Sequence, residues 1–279
     1  MAAGHRLVLT GASGGLGHAF ADALAAHSRA MVLAGRDGER LDALKTRLAA
    51  RHSGLVTVTI AGDLTDASVR ERVREAAASL PGGVDLLINA AGINDFHDFT
   101  QQAGASIDRL LDVNLLVPIQ LTQLLLPLLK AAPRAQVINI GSIFGYLGYP
   151  GFAVYCATKF GLRGFSQALR RELSDTTLRV RYFAPRAVRT ALTTPAIAAM
   201  NRELKTAEDA PERVARALVD FIARDTWDRK IGLPEKLYVL LNRLAPSIND
   251  IAIRGQLGVI RRQLGTQATT LDFEERKRG

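Results

Sequence analysis

Tyr155 and Lys159 stand four residues apart in the run Tyr155-Cys156-Ala157-Thr158-Lys159, and a helical pattern continues from them to Arg170. On an α-helix that spacing places both side chains on one face, a turn apart. Ser142 comes just after a short apolar run, 137–140, that reads as a buried strand. A phenol, an ammonium and a hydroxyl suit the movement of a proton onto or off an oxygen atom. Hydride addition to a carbonyl leaves an alkoxide that must be protonated, and a phenol can supply the proton. Its ordinary pKa is about 10, so working near neutrality means lowering it by about 3 pH units, roughly 4 kcal/mol. A neighbouring ammonium favours the phenolate. Lys159, together with a positively charged hydride carrier, is therefore expected to supply that difference. Ser142 is expected to hydrogen-bond the substrate oxygen and share its developing charge. A tyrosine and a lysine at this spacing also arise by chance on amphipathic helices, so the elements that position them decide the matter.

The first apolar run, 6–10, leads into Thr10-Gly11-Ala12-Ser13-Gly14-Gly15-Leu16-Gly17, and a helical pattern follows at once. Glycines in such a turn let the backbone approach a pyrophosphate, and the free N–H groups of the next helix face its charge. A glycine cluster alone is weak evidence; strand, turn and helix in succession give it weight. With hydride chemistry at the other end of the chain, the turn points to a nicotinamide dinucleotide. An acidic residue after the second strand would bond a ribose 2′-hydroxyl, whereas an arginine accommodates a 2′-phosphate. The chain reads Ala34-Gly35-Arg36-Asp37 there. Arg36, assisted by Ser13, favours NADP(H); Asp37, one residue on, keeps NAD as the less favoured alternative.

The intervening sequence alternates short apolar runs with amphipathic segments. Runs at 6–10, 30–34, 56–60, 86–89, 137–140 and 180–183 read as buried strands, and Leu41, Leu44 and Leu48 recur at helical spacing. A stretch at 107–129 is helical in character, with Pro118 a candidate kink. Alternation of this kind implies parallel strands with right-handed crossovers, covered on both faces. The expected fold is a doubly wound α/β sheet of six or seven parallel strands, with a helical extension. A single domain is expected over 1–265 and a flexible tail over 266–279. No apolar run is read as reaching the roughly 20 residues of a membrane span.

Cys156 is the lone cysteine, which excludes an internal disulfide and fits a reducing cytoplasm. None of His5, His18, His27, His52 and His97 falls near it in the sequence, so packing is its expected role. No metal-ligand spacing is visible. The formal net charge of +9 attracts anions such as a phosphorylated cofactor, an acyl carrier or an anionic membrane face. No basic stretch interleaves with aromatics, so a nucleic-acid partner is not expected.

Over about 6–190 the chain resembles the short-chain dehydrogenase/reductase family, in its single-domain branch. Thr10, Gly11, Gly15 and Gly17 match the family's glycine turn, and Ser142, Tyr155 and Lys159 its active site. The resemblance implies that Asp63, with Leu64 beside it, meets the adenine. It implies that Asn89, Ala90 and Gly92, in Asn-Ala-Ala-Gly, underlie the cofactor ribose. It implies further that Asn114 holds a water linking the lysine to solvent. One departure stands out: the family usually has Pro-Gly after its sixth strand, whereas this chain reads Pro185-Arg186-Ala187-Val188-Arg189-Thr190. Val188 and Thr190 can still meet a nicotinamide carboxamide. Arg186 is expected to reshape the pocket or meet an anion.

The last third has a polar helical stretch at 191–208. A short helix after Pro234 carries Leu237, Leu240, Leu241 and Leu244 and stops at Pro246. A second helix follows, with Ser247 and Asp250 as a capping box and Ile253, Leu257, Ile260 and Leu264 as its apolar stripe. These helices are expected to form a lid or a dimer contact, with a peripheral membrane or acyl-carrier contact through 235–265 as the alternative. The expected substrate is an apolar carbonyl or secondary alcohol, first an acyl or 3-oxoacyl group and second a steroid- or polyketide-like ketone. The resemblance implies a homodimer or homotetramer through helices at 114–130 and 155–173. The competing reading is a dinucleotide-binding sensor that does no chemistry, against which the intact Ser142, Tyr155 and Lys159 speak.

Overall fold

The computed structural model describes residues 4–278, with side chains described through Gly265. The chain alternates β1 (His5–Thr10), α1 (Gly15–Ala25), β2 (Ser28–Gly35), α2 (Gly38–Arg51), β3 (Val56–Ala61), α3 (Ala67–Ala78) and β4 (Leu86–Asn89). It continues through α4 (Gly104–Leu111), α5 (Val117–Ala131), β5 (Ala135–Ile140), α6 (Ala153–Glu172) and β6 (Leu178–Ala184). The remaining elements are α7 (Pro195–Glu203), α8 (Pro211–Ala223), β7 (Asp228–Lys230), α9 (Leu233–Leu244) and α10 (Pro246–Arg278). The strands form one parallel sheet in the order β3-β2-β1-β4-β5-β6-β7. The chain reverses its winding between β1 and β4, which opens a crevice at the carboxyl ends of the strands, where such sheets bind ligands.

Each of the six apolar runs lies in a strand; those of β1, β2, β4, β5 and β6 are largely buried between the two helical layers, whereas β3, expected to be buried, is an edge strand and only partly covered. On one face Phe20 and Leu24 of α1, the leucines of α2 and Leu218 and Phe221 of α8 close over Leu7, Leu9 and Leu33. On the other, Val69 and Val73 of α3 and Leu121, Leu125 and Leu129 of α5 cover Val8, Val32 and Val137. The seventh strand reads Asp-Arg-Lys; at the sheet edge, paired only to β6, it carries no apolar pattern.

The helical run Gly104–Ala131 is long and apolar enough to cross a membrane by length and composition, which the sequence reading did not anticipate. Its apolarity is explained by packing: Leu110, Val117, Leu121, Leu125 and Leu129 are fully or almost fully buried. The expected kink at Pro118 is instead a π turn at Asp112–Leu116, and Pro118 sits in the first turn of α5. The polar stretch at 191–208 is helical only over α7. The helix α10 begins at Pro246, ahead of the expected cap at Ser247. Its Ile260 is buried, with Leu264 beside it, against Phe96, Phe152, Ile197 and Met200. The expected tail at 266–279 lies outside the residues whose side chains are described.

Candidate active site

The strand β5 ends at Ile140, and Ser142 two residues later begins a single 3-10 turn, its Oγ accepting from Phe144 N at 3.1 Å. Opposite, the first turn of α6 carries Tyr155 and the second Lys159. The Lys159 ammonium, 5 % exposed, donates to the Ile140 carbonyl at 3.2 Å and lies 5.6 Å from the Tyr155 ring centroid. One strand end thus fixes the lysine and leads into the serine, whose side chain favours the ionised form of the Tyr155 phenol. Burial pushes Tyr155 up to about 12, against Ser142, which lowers it. Burial also pulls Lys159 down to about 8. In this enclosed site desolvation dominates both groups, because each loses water in its charged form.

Asn114 lies in the π turn and is fully buried. Its amide closes a ring on Ile93, accepting from Ile93 N and donating to Ile93 O, both at 2.9 Å, and it reaches Thr158 Oγ1 at 3.3 Å. A π turn widens a helix and frees a backbone group, and it commonly marks a functional position. Gly92 allows the approach from the other side: a Cβ there would stand 3.2 Å from Asn114 Oδ1 and 3.7 Å from Lys159 Nζ. Asn114 thus stands behind the site, against the helix that carries Tyr155 and Lys159.

The carboxyl edge of the sheet opens into a cavity of about 960 Å³ whose walls include Tyr155, Lys159 and Ser142. The glycine turn lines it too, with Gly11, Ser13, Gly15, Leu16 and Gly17, and so do Arg36, Asp63, Leu64, Ala90, Pro185, Val188 and Thr190, while Gly92 stands beside Lys159. Gly11 has φ +71°, and a Cβ there would press on the Ala91 backbone at 2.8 Å; only glycine brings the turn this close to the sheet. The helix α1 begins at this turn with no side-chain cap, so the N–H groups of its first turn are available to an anion. Thr190 lies across from Gly15. An extended phosphate-bearing ligand fits this cradle. Asp37, the acidic neighbour of Arg36, caps α2 by accepting from Arg40 N at 3.0 Å. Its carboxylate therefore has a structural task, and Arg36, Asp37 and Arg40 all line the cavity.

Asn89 stands apart from the other expected cofactor contacts. It is 2 % exposed, and its amide donates to Asn139 Oδ1 at 2.8 Å and Thr122 Oγ1 at 3.1 Å inside the fold. It supports the cradle from behind. Thr10 does the same, its Oγ1 accepting from Ala90 N and Ala91 N at 3.0 Å each.

One group escaped sequence reasoning. Arg109 of α4 binds Asp63 and donates to Thr65 Oγ1 at 3.0 Å. Burial raises the Asp63 carboxyl, but hydrogen bonds from Arg109 and Thr65 outweigh it and hold it at about 2. The partners are 46 residues apart, so no local pattern signals them. The apolar segments around Phe144 and Phe152, on which the expectation of an apolar substrate rests, form an aromatic wall: Phe144 and Tyr149 stack at 5.2 Å and Phe144 meets Tyr155 edge-on at 6.3 Å. Tyr149 OH donates to Gln256 Oε1 of α10 at 2.6 Å, drawing α10 over the cavity. Arg186 meets anions of the protein itself: it grips Asp209 through Nε at 3.0 Å and Nη2 at 2.9 Å, and Glu235 of α9 through Nη1 at 3.2 Å.

The short chain dehydrogenase family model matches residues 5–201. The chain is 35 % identical over 190 residues to nodulation protein G of Rhizobium sp. (strain N33), covering 68 % of this chain and 76 % of that protein. It is 31 % identical over 232 residues to ketoacyl reductase HetN of Nostoc sp., covering 81 % and 77 %. Among solved structures, a short-chain dehydrogenase of Sphingobium yanoikuyae in complex with NADPH is similar, with TM-score 0.73 and 26 % identity over 88 % of this chain and 96 % of that one. A short chain dehydrogenase/reductase of Burkholderia phymatum in complex with NAD shares the fold, with TM-score 0.79, 21 % identity and coverage of 88 % and 95 %. The chain belongs to the short-chain dehydrogenase family: it is an oxidoreductase built on a Rossmann-type nucleotide-binding sheet.

Proposed function

We propose that this protein transfers a hydride between NADP(H) and a carbonyl or secondary alcohol of an apolar substrate, with Tyr155 as general acid/base. The observation that carries the reading is the convergence of Ser142, Tyr155 and Lys159 on one wall of a cavity that a glycine cradle and Arg36 also line. The bound nicotinamide supplies the hydride and, when oxidised, a positive charge. The protein does the rest. Arg36, with Ser13 and Arg40 nearby, receives a 2′-phosphate, since Asp37 is engaged as a helix cap. Asp63, held ionised by Arg109, meets the adenine, and the uncapped start of α1 takes the pyrophosphate. Ser142 and Tyr155 together bind the substrate oxygen; Tyr155 donates its proton as the carbon accepts the hydride. Lys159 holds positive charge beside the phenol, and Asn114, through Thr158 and Ile93, fixes the helix and loop around it.

The substrate side is apolar: Phe144, Tyr149, Phe152, Ile197, Met200 and Ile253 line it, which suits an acyl, 3-oxoacyl or fused-ring ketone. The name of the Nostoc relative, a ketoacyl reductase, points the same way. A homodimer or homotetramer fits Leu111, Leu116 and Phe160, which are 37–44 % exposed around the α4–α6 face, and a cytoplasmic setting fits a free Cys156. NADPH oxidation followed by absorbance over a panel of apolar ketones tests the reading. Tyr155→Phe should lower turnover about 10²- to 10⁴-fold, the usual contribution of a positioned acid/base. Turnover that survives this substitution refutes the mechanism; a wild-type protein that binds NADPH and reduces nothing favours the sensor.

A further inference from the structure

Thirteen large hydrophobic side chains are exposed among the described residues, and seven of them fall within residues 233–251. On α9, Leu233, Leu237, Leu240 and Leu244 recur at intervals of four, three and four and are 80, 57, 50 and 72 % exposed. They form a single ridge along the helix. The opposite face of α9 is the one held by the protein: Asn242 donates to the Tyr146 carbonyl at 3.1 Å, and Val239 packs beside Tyr146 and Tyr182. Beyond the elbow at Ala245, Ile248 and Ile251 of α10 are also exposed, 51 and 71 %. Isolated exposed leucines are ordinary, but a contiguous row marks an interaction surface.

The charges choose the occupant. Lys236 and Arg243, seven residues apart, flank the ridge on one side of α9, and Arg254 is exposed on α10. Glu235, the one acidic residue of α9, is taken up by Arg186. A leucine ridge with a basic flank is the signature of a helix lying in the interface of an anionic bilayer. A second copy fits less well, since a two-fold contact across the ridge brings Lys236 and Arg243 toward their own counterparts. An acidic carrier would find a basic patch, but the centre here is apolar.

We propose that the elbow of α9 and α10 docks this protein on an anionic lipid surface, with Leu237, Leu240, Leu244 and Ile248 entering the acyl boundary. Tyr238 lies both on the exposed surface, 49 % exposed, and in the cavity wall. The docked helix therefore also borders the cavity through its other side, which places a substrate dissolved in the bilayer near the entrance to Tyr155. That placement rests on the hydride reading of the cavity; the docking does not, and its test needs no turnover.

The full-length protein is sedimented with phosphatidylcholine liposomes, with and without phosphatidylglycerol, at low and high salt, and its assembly size is measured by light scattering. The wild type should pellet with the anionic liposomes and much less with neutral ones or at high salt. Lys236→Gln with Arg243→Gln should weaken binding about 25-fold, near fivefold per residue. Leu240→Asp with Leu244→Asp should weaken it at least about tenfold; both positions are solvent-facing, so the melting temperature should hold. A wild type that stays in the supernatant with both lipids overturns the proposal, as does an aspartate variant that pellets like the wild type. An aspartate variant that shrinks the assembly, with no liposome binding by the wild type, assigns the ridge to a second copy instead.

Discussion

Replacing Arg186 with glycine would restore the residue that the family pattern places after Pro185, and the structure predicts that it destabilises this protein. The Arg186 side chain is 12 % exposed and pairs through two nitrogens with Asp209, whose side chain is fully buried. Removing one partner of a buried pair costs about 3–5 kcal/mol, because the other charge is left desolvated. Asp209 would keep Arg213 at 3.3 Å, but that guanidinium is 64 % exposed, so the lower end, about 3 kcal/mol, applies. At about 2–4 °C per kcal/mol for a domain of this size, the melting temperature should fall by roughly 6–12 °C. Thermal unfolding followed by circular dichroism measures it. The same replacement made in an Asp209→Asn background should cost much less, since no stranded carboxylate remains. If Arg186→Gly melts like the wild type, or costs as much in the Asp209→Asn background, the pair does not hold this loop and α9 in place.

Lys159→Met should raise stability at pH 7 while abolishing reductase activity. Burial lowers this ammonium from 10.5 to about 8, so below pH 8 the folded state carries a charge it disfavours by about 3 kcal/mol. Between about 8 and 10.5 the unfolded chain binds more protons, so wild-type stability rises with pH on this account and the variant's advantage shrinks. Urea unfolding at pH 7 and 10 checks it, and an equal or lower stability of the variant at pH 7 contradicts the desolvation argument. Arg36→Ala should raise the KM for NADPH roughly 10- to 100-fold, the worth of one charge-assisted hydrogen bond, and leave that for NADH nearly unchanged. An unaltered NADPH KM would remove Arg36 from the cofactor reading.

The central strands were legible because burial on both faces imposes apolar runs, and the glycine turn because phosphate approach demands residues without side chains. The Tyr155–Lys159 pair was legible because helical spacing is a local property. What escaped reading depends on distant partners. Asp37 kept NAD open as the alternative; its bond to Arg40 N makes it a helix cap as well as a residue of the cavity wall. Arg186 was expected to reshape the pocket or meet an anion; the anions are Asp209 and Glu235, 23 and 49 residues away, which no local pattern names. The strand β7 escaped because an edge strand of three polar residues has no apolar face to display. The π turn around Asn114 escaped because an inserted residue shifts helical phase without changing composition.

Lys159 and a positively charged hydride carrier together were expected to lower the Tyr155 pKa; against them, burial in the enclosed site pushes the phenol up to about 12. A protonated phenol is the form carbonyl reduction needs, since the reaction begins with a proton to give. Alcohol oxidation begins with the phenolate, and at pH 7 reaching it from 12 costs about 7 kcal/mol. Lys159, drawn down to about 8 by the same burial, still carries its charge at pH 7 and supplies part of that. An oxidised nicotinamide in the same cavity would add a second positive charge, which low dielectric strengthens. Burial therefore makes the tyrosine's proton depend on the state of the bound cofactor as well as on the lysine.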